Sequence, residues 1–199
     1  ALMVAAMAAF AVEDFLIKSA SIDFSGGQML VALSAGGAVI FAVMCRRARA
    51  PLTSPAFRHP LVIVRNLAEV GATLCYVSSL TLIPLSLASA ILQATPIFVT
   101  MGAALWLREP VGWRRWSAVV LGLVGVLVIL RPGLEGFRLA ALLAVIATIL
   151  LAIRDVASRR IPARISSVQL SFWAYASLVP ASCALAAFLA ATLLAHASS

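Results

Sequence analysis

Three ionisable side chains, Glu13, Asp14 and Lys18, stand close together in the segment VEDFLIKSA, where Val12 follows the apolar run AAMAAFA. In a helix, Asp14 and Lys18 are i and i+4, one turn apart on one face, where a carboxylate and an ammonium can neutralise each other. Glu13 lies about 100° around the helix and falls outside that pair. A second set occupies LVIVRNLAEVGATLCYVSSL: Arg65 and Glu69 are again i and i+4, Thr73 and Tyr76 prolong their stripe, and Asn66 flanks it. A charge at the centre of a bilayer costs at least about 2.5 kcal/mol on insertion scales, so such groups face a partner or a water-filled cavity. Two readings stay open for each set: an ion pair that anchors a helix end, or a contact to a solute or a coupling proton. Asp14 is the candidate coupling acid, and Glu69, the deeper group of its set, is the better candidate for contact with substrate.

Uncharged polar groups form two further stripes. Ser86, Ser89, Gln93, Pro96 and Thr100 follow spacings of 3, 4, 3 and 4, which is one face of a helix. Pro96 removes the backbone donor for the carbonyl of residue 92, and a broken helix beside a cavity is a common way for carriers to build a midplane site. The same small residues also let helices pack closely. Near the end of the chain Gln169, Trp173, Tyr175 and Ser177 precede Pro180, so Trp173 suits either an interfacial aromatic belt or a substrate path.

These groups must be held by membrane-spanning elements. The chain is 63% hydrophobic and only 11% charged, with a mean hydropathy of +1.09, against about a quarter charged for soluble domains. Spans of roughly 20 apolar residues fit seven segments: 1 to 18, 28 to 45, 61 to 80, 84 to 107, 113 to 131, 138 to 156 and 167 to 195. Alternating ten-residue strands are absent, which argues against a membrane β-barrel.

The net charge of +8 is not a nucleic-acid footprint. Eleven of the fifteen basic residues fall in alternate loops: Arg46, Arg47, Arg49 and Arg58; Arg108, Arg114 and Arg115; and Arg154, Arg159, Arg160 and Arg164. The positive-inside rule puts those loops, and the N-terminus, in the cytoplasm. The first span has no A-x-A-like cleavage site after a short apolar region and reads as a span, with residues expected before Ala1. H-E-x-x-H, G-x-S-x-G and P-loop patterns are missing, and the only histidines are His59 and His196. Enzymatic chemistry, a metal site and a cofactor are not expected. Cys45, Cys75 and Cys183 have no C-x-x-C spacing and read as small apolar residues.

The chain also repeats itself. Shifted by 141 positions, VEDFLIKSASIDFSGGQM lies over IRDVASRRIPARISSVQL: Asp14 meets Asp155, Lys18 meets Arg159, Ser25 meets Ser166 and Gln28 meets Gln169. Five spans separate the two starts, so the second copy enters the membrane from the opposite side, an inverted repeat.

The run LIPLSLASAILQATPIFVTMGAALWLREPVGWRRWSAVVLGLVGVLVILRPG resembles the fourth and fifth spans of the EamA-type repeat in the drug/metabolite transporter superfamily. The likeness lies in the small-residue fourth span, the acidic residue before a W-R-R turn, the Gly-spaced fifth span and the closing R-P-G. The resemblance implies an all-α polytopic fold with about seven spans here, out of ten arranged as two inverted five-helix repeats. Residues 1–136 would be the first repeat and 137–199 the start of the second, and roughly 90 further residues would complete it. It further implies a secondary carrier of a bacterial inner membrane, moving small molecules such as amino acids by alternating access, with a homodimer as one assembly open to it. A non-transporting scaffold is the competing class. Two departures stand out: the family turn commonly reads Gly-Glu where this chain has Arg108-Glu109, and residues 28 to 45 hold no charge where many relatives carry an Arg.

Overall fold

Prolines and arginines punctuate the chain, and in the computed structural model that punctuation becomes helix ends. The structure describes residues 2–20, 24, 26–53, 55–110, 112–130, 140–162 and 165–197. These form α1 (Leu2–Ala20), α2 (Gly26–Arg47), a 3-10 turn (Pro55–Arg58), α3 (Pro60–Leu82), α4 (Leu85–Leu92), α5 (Thr95–Trp106), α6 (Trp113–Leu130), α7 (Ala141–Ser158) and α8 (Ser167–Ala197), with no strand among the described residues. Five segments are long and apolar enough to cross a bilayer: Gly26–Arg47, Pro60–Leu82, Leu85–Trp106, Ala141–Ser158 and Ser167–Ala187. The protein is an all-helical, multi-pass integral membrane protein. α1, with its three charged side chains, and α6 occupy the two other expected spans. The expected repeat boundary at residues 136–137, together with Ser25, Arg131, Arg138 and Arg164, lies outside the described residues.

Local chemistry sets the ends. α2 stops at a left-handed residue, Arg49 (φ 51°), while the Ala50 amide donates back to the Cys45 carbonyl at 2.9 Å. α3 starts with Pro60 at a position where no donor is lost, and the His59 Nδ1 accepts from the Leu61 amide at 3.3 Å. The expected helix over 84 to 107 is two helices. Pro96 cannot donate to the Leu92 carbonyl, but that carbonyl is not left free as the sequence suggested: the Thr95 hydroxyl donates to it at 2.5 Å. Gln93 and Ala94 form the turn between α4 and α5, and the buried Thr148 of α7 donates to Ile91, one residue before the break, at 3.5 Å.

The two most extensive contacts are α2 with α8 and α3 with α7. Both are built on small side chains, as expected where lipid offers no hydrophobic drive and close approach must supply the attraction. A Cβ on Gly27 would lie 2.6 Å from the Ala186 Cα, and one on Gly37 would lie 2.3 Å from the ring of Tyr175. Ser34 and Ser182 share a buried hydrogen bond at 3.0 Å, and Phe41 stacks on Tyr175 at 5.5 Å, so α2 and α8 run antiparallel. α7 turns Ala141, Ala144, Ala147, Thr148 and Ala152 inward, one helical stripe of small residues, and Leu150 touches Gly71 of α3. α1 is held more lightly, by α3 and α4, and leaves Val4, Phe10 and Phe15 exposed.

Candidate functional site

α3 carries a polar spine on one face, and different helices complete it at its two ends. At the end nearer the α2–α3 loop, Glu69 receives two bonds from the Arg154 guanidinium of α7, both at 3.1 Å, and sits 3.4 Å from Arg65. Arg154 also binds Asp155 at 2.8 Å, while Arg65 donates to the Asn66 side chain at 2.9 Å and to the Leu170 carbonyl of α8 at 3.0 Å. Two guanidinium groups therefore neutralise two carboxylates inside the helical bundle, and the Arg65 Nε is the one buried side-chain polar atom without a hydrogen-bond partner among the described residues. The Thr73 hydroxyl returns to the Glu69 carbonyl at 2.9 Å and carries the spine upward.

Seven residues on, about 10 Å along the axis, α1 completes the other end. The Tyr76 hydroxyl donates to Asp14 Oδ2 at 3.0 Å. The expected Asp14–Lys18 ion pair does not form among the described residues; Lys18 donates to the carbonyls of Leu80 and Ile83. The reason is local. Pro84 has no N–H to give the Leu80 carbonyl, and Ile83 is extended (ψ 160°) at the end of α3, so both oxygens need a donor from elsewhere. Lys18 caps α3 from a neighbouring helix.

Between the ends stands Tyr175 of α8, within electrostatic reach of Glu13, Glu69 and Arg154. It lies on Gly37 and Phe41, so a side chain at position 37 would displace it.

Other expected site residues have different tasks. Gln169 is buried, and it forms a capping box with Ser166: its side-chain oxygen accepts from the Ser166 amide at 2.9 Å, and its own amide donates to the Ser166 hydroxyl at 3.2 Å. Its side-chain nitrogen donates to the Pro51 carbonyl at 2.9 Å, and Trp173 donates to the Leu52 carbonyl at 2.8 Å, so the two residues hold the α2–α3 loop against α8. The S-x-x-Q spacing at Ser25 and Gln28 recurs at the head of α2, where Gln28 is exposed. Gln93 and Pro96 also face outward from the described helices, and so does Ser86, away from the α3 spine. Arg159 pairs with Glu109 at 3.5 Å, a half-exposed link between α7 and the α5–α6 turn.

Arg154 is the residue that sequence reasoning missed. Counted with the loop arginines, it lies inside α7 (Ala141–Ser158) and is the closest partner of Glu69. The repeat register held a signal for it, because a shift of 141 places Arg154 over Glu13, already singled out as intramembrane. Among the described residues no group of three His, Cys, Asp or Glu side chains is placed to hold a metal ion.

Helices long and apolar enough to span a membrane carry paired charges inside them, an arrangement that suits a membrane transport protein. The chain belongs to the EamA-like transporter family, whose pattern matches residues 1–131, in agreement with the drug/metabolite transporter resemblance. It is 34% identical to the riboflavin transporter of Vibrio cholerae over 72% of this chain and 49% of that protein. It is 30% identical to the S-adenosylmethionine uptake transporter of Rickettsia felis over 65% of this chain and 42% of that protein. The pseudopaline exporter CntI of Pseudomonas aeruginosa is 26% identical over 89% of this chain and 63% of its own length. The chain thus spans about half the length of the first of these relatives. No solved structure gives a significant match.

Proposed function

We propose that this chain forms the greater part of a secondary active carrier of a bacterial inner membrane, with the Arg-rich loops and the N-terminus cytoplasmic. Substrate binds beside the α3 spine and is exposed alternately as two inverted repeats rock against each other. The observation that carries this reading is the spine itself: Arg65, Glu69 and Tyr76 on one helix engage Arg154 of α7 at one end and Asp14 of α1 at the other. Intramembrane charge is costly, and a carrier uses it for binding and coupling.

The α2–α8 seam is compatible with the repeat reading. In a two-fold arrangement, if residue i meets the counterpart of j, then j meets the counterpart of i. A shift of 141 makes Tyr175 the counterpart of Ser34, and Ser182 the counterpart of Phe41. Ser34 meets Ser182, and Phe41 meets Tyr175. Any two antiparallel helices pair residues in this reciprocal way, so these contacts are compatible with a pseudo-two-fold axis through the α2–α8 crossing and follow equally from antiparallel packing alone.

Small organic metabolites, amino acids or related compounds, are the proposed substrates, export is the proposed direction, and Asp14 is the proposed coupling acid. Uptake of a riboflavin- or S-adenosylmethionine-like solute is the second reading, favoured by the names of those relatives. The test is mass spectrometry of the medium and of the cells during expression of the full-length gene, beside Glu69→Gln at matched membrane level. Accumulation of a solute outside only with the wild type supports export, and depletion of one from the medium supports uptake. No difference in any pool would favour a non-transporting scaffold and remove the carrier reading.

A further inference from the structure

A groove of about 890 Å³ opens between the start of α3 and α8, beside the α3 spine, with Asn66 at the border between them. Ile63 and Leu67 line it, and they lie about 200° around α3 from Arg65 and Glu69. It is a lateral feature: within it Leu67 is 67% and Ile63 is 47% exposed, on a helix that crosses the membrane. The groove is also graded. Arg58 stands at the end nearer the α2–α3 loop, and Val70 and Pro180 lie deeper along α3 and α8, where the walls are almost wholly apolar.

Two features narrow the occupant. A volume in the range of roughly 300–1,000 Å³ suits a molecule of drug size, and an opening onto the exposed apolar face of a helix long enough to cross the bilayer favours one that arrives from the bilayer. Arg58 is the one charged side chain that lines the groove, and the loop that carries it is of one sign. Arg46, Arg47, Arg49 and Arg58 fall within a stretch, 46 to 59, that contains no Asp or Glu, and none of the four forms an ion pair among the described residues. Basic pockets between helices on the cytoplasmic side are suited to anionic lipid headgroups, and the positive-inside pattern puts this loop on that side.

We propose that this groove is a binding site for an anionic phospholipid of the cytoplasmic leaflet, with the headgroup phosphate on Arg58 and an acyl chain lying along Ile63, Leu67 and Val70 of α3 toward Pro180 of α8. The site adjoins the α3 spine only through Asn66, which lines the groove and accepts from Arg65. It also sits against the loop that Gln169 and Trp173 fasten to α8, so a bound lipid touches the same junction that those hydrogen bonds hold.

Trp173 lines the groove and is held by its bond to Leu52, which makes it a fixed fluorescent reporter. The experiment uses the full-length protein in detergent, with every other tryptophan replaced by phenylalanine, titrated with phosphatidylglycerol or phosphatidylcholine carrying the same brominated acyl chains. Phosphatidylglycerol should quench Trp173 at the lower concentration, and Arg58→Gln should raise the phosphatidylglycerol midpoint about fivefold, the effect of one basic residue near an anionic headgroup, leaving phosphatidylcholine unchanged. Leu67→Asp, which charges the acyl wall, should weaken quenching by both lipids. Equal quenching by the two lipids in the wild type, or a phosphatidylglycerol preference that survives Arg58→Gln, would overturn the proposal. Reversal of the quenching by free glycerol 3-phosphate would do so as well, since it assigns the mouth to a soluble organophosphate.

Discussion

The two ends of α3 are closed by helices that occupy corresponding places in the repeat register, α1 and α7, yet they are closed in opposite ways. α7 lies against α3 along a stripe of small residues and brings Arg154 to Glu69, so that four charged groups neutralise one another. α1 touches α3 lightly and contributes one hydrogen bond from Tyr76 to Asp14 and one ammonium to the helix end. One end is locked by charge and close packing; the other rests on contacts that can be exchanged singly. A carrier needs both kinds of junction, a fixed one to keep helices together and a weak one to release them.

The largest effect is expected where the locked end loses its anion. Glu69→Gln leaves Arg65 without a carboxylate partner and Arg154 with Asp155 alone, and breaking a buried pair in this way costs about 3–5 kcal/mol. Melting in detergent should fall by an amount that Arg154→Gln, added in the same chain, partly restores. If the double variant is no more stable than Glu69→Gln alone, the network is not what locks this end.

Gly37→Ala comes next. Its Cβ would meet the Tyr175 ring at 2.3 Å, and overpacking of this kind costs about 1–3 kcal/mol. Tyr175 stands between the two ends, so this variant should lower stability and transport together. A loss of transport with unchanged melting would show that Tyr175 serves the solute and not the seam.

At the weak end, Tyr76→Phe should lose about 1 kcal/mol, the contribution of one hydrogen bond, while Asp14→Asn keeps an acceptor for Tyr76 and should change stability less. If Asp14 is the coupling acid, Asp14→Asn flattens the dependence of transport on external pH and Tyr76→Phe does not. Equal pH profiles for both variants would leave Asp14 a structural partner only. The smallest effect carries the opposite sign. Arg108 sits in the left-handed region at φ 54°, which costs a side chain about 1–2 kcal/mol, so Arg108→Gly should raise the melting temperature slightly and leave transport unchanged. This position is the Gly of the common Gly-Glu turn, and its backbone angle explains that preference.

What the sequence made legible was set by short-range rules. Apolar runs, prolines and alternate arginine loops located the helices, and the interruption at Pro96 was readable because a missing donor is a property of the residue itself. The S-x-x-Q spacing at Gln169 was visible as a repeat, and its meaning as a capping box follows from a distance of three residues. Partners across the fold were not readable. The i, i+4 rule gave Asp14 to Lys18, but the unsatisfied carbonyls beside Pro84 claim the ammonium and Tyr76 claims the carboxylate. Arg65–Glu69 was found in the same way, and Arg154, 85 residues distant in the chain, was not. Gln93 lies on a genuine polar stripe, but periodicity cannot say which side of α4 meets its neighbours, and in the structure that side chain is exposed.

The seam between α2 and α8 bears on the proposed duplication. Under the proposed duplication, an ancestral pair of contacts was one contact made twice, so any substitution acted at both places together. Now one copy joins two hydroxyls, Ser34 to Ser182, and the other stacks two rings, Phe41 on Tyr175. Under that proposal each contact would have changed as a matched pair, with symmetry of position surviving without symmetry of chemistry. Opening one half of that seam separates a hydrogen bond and opening the other unstacks an aromatic pair, so the two motions need not cost the same, and under the proposed duplication an ancestor indifferent to direction could acquire a preferred resting side.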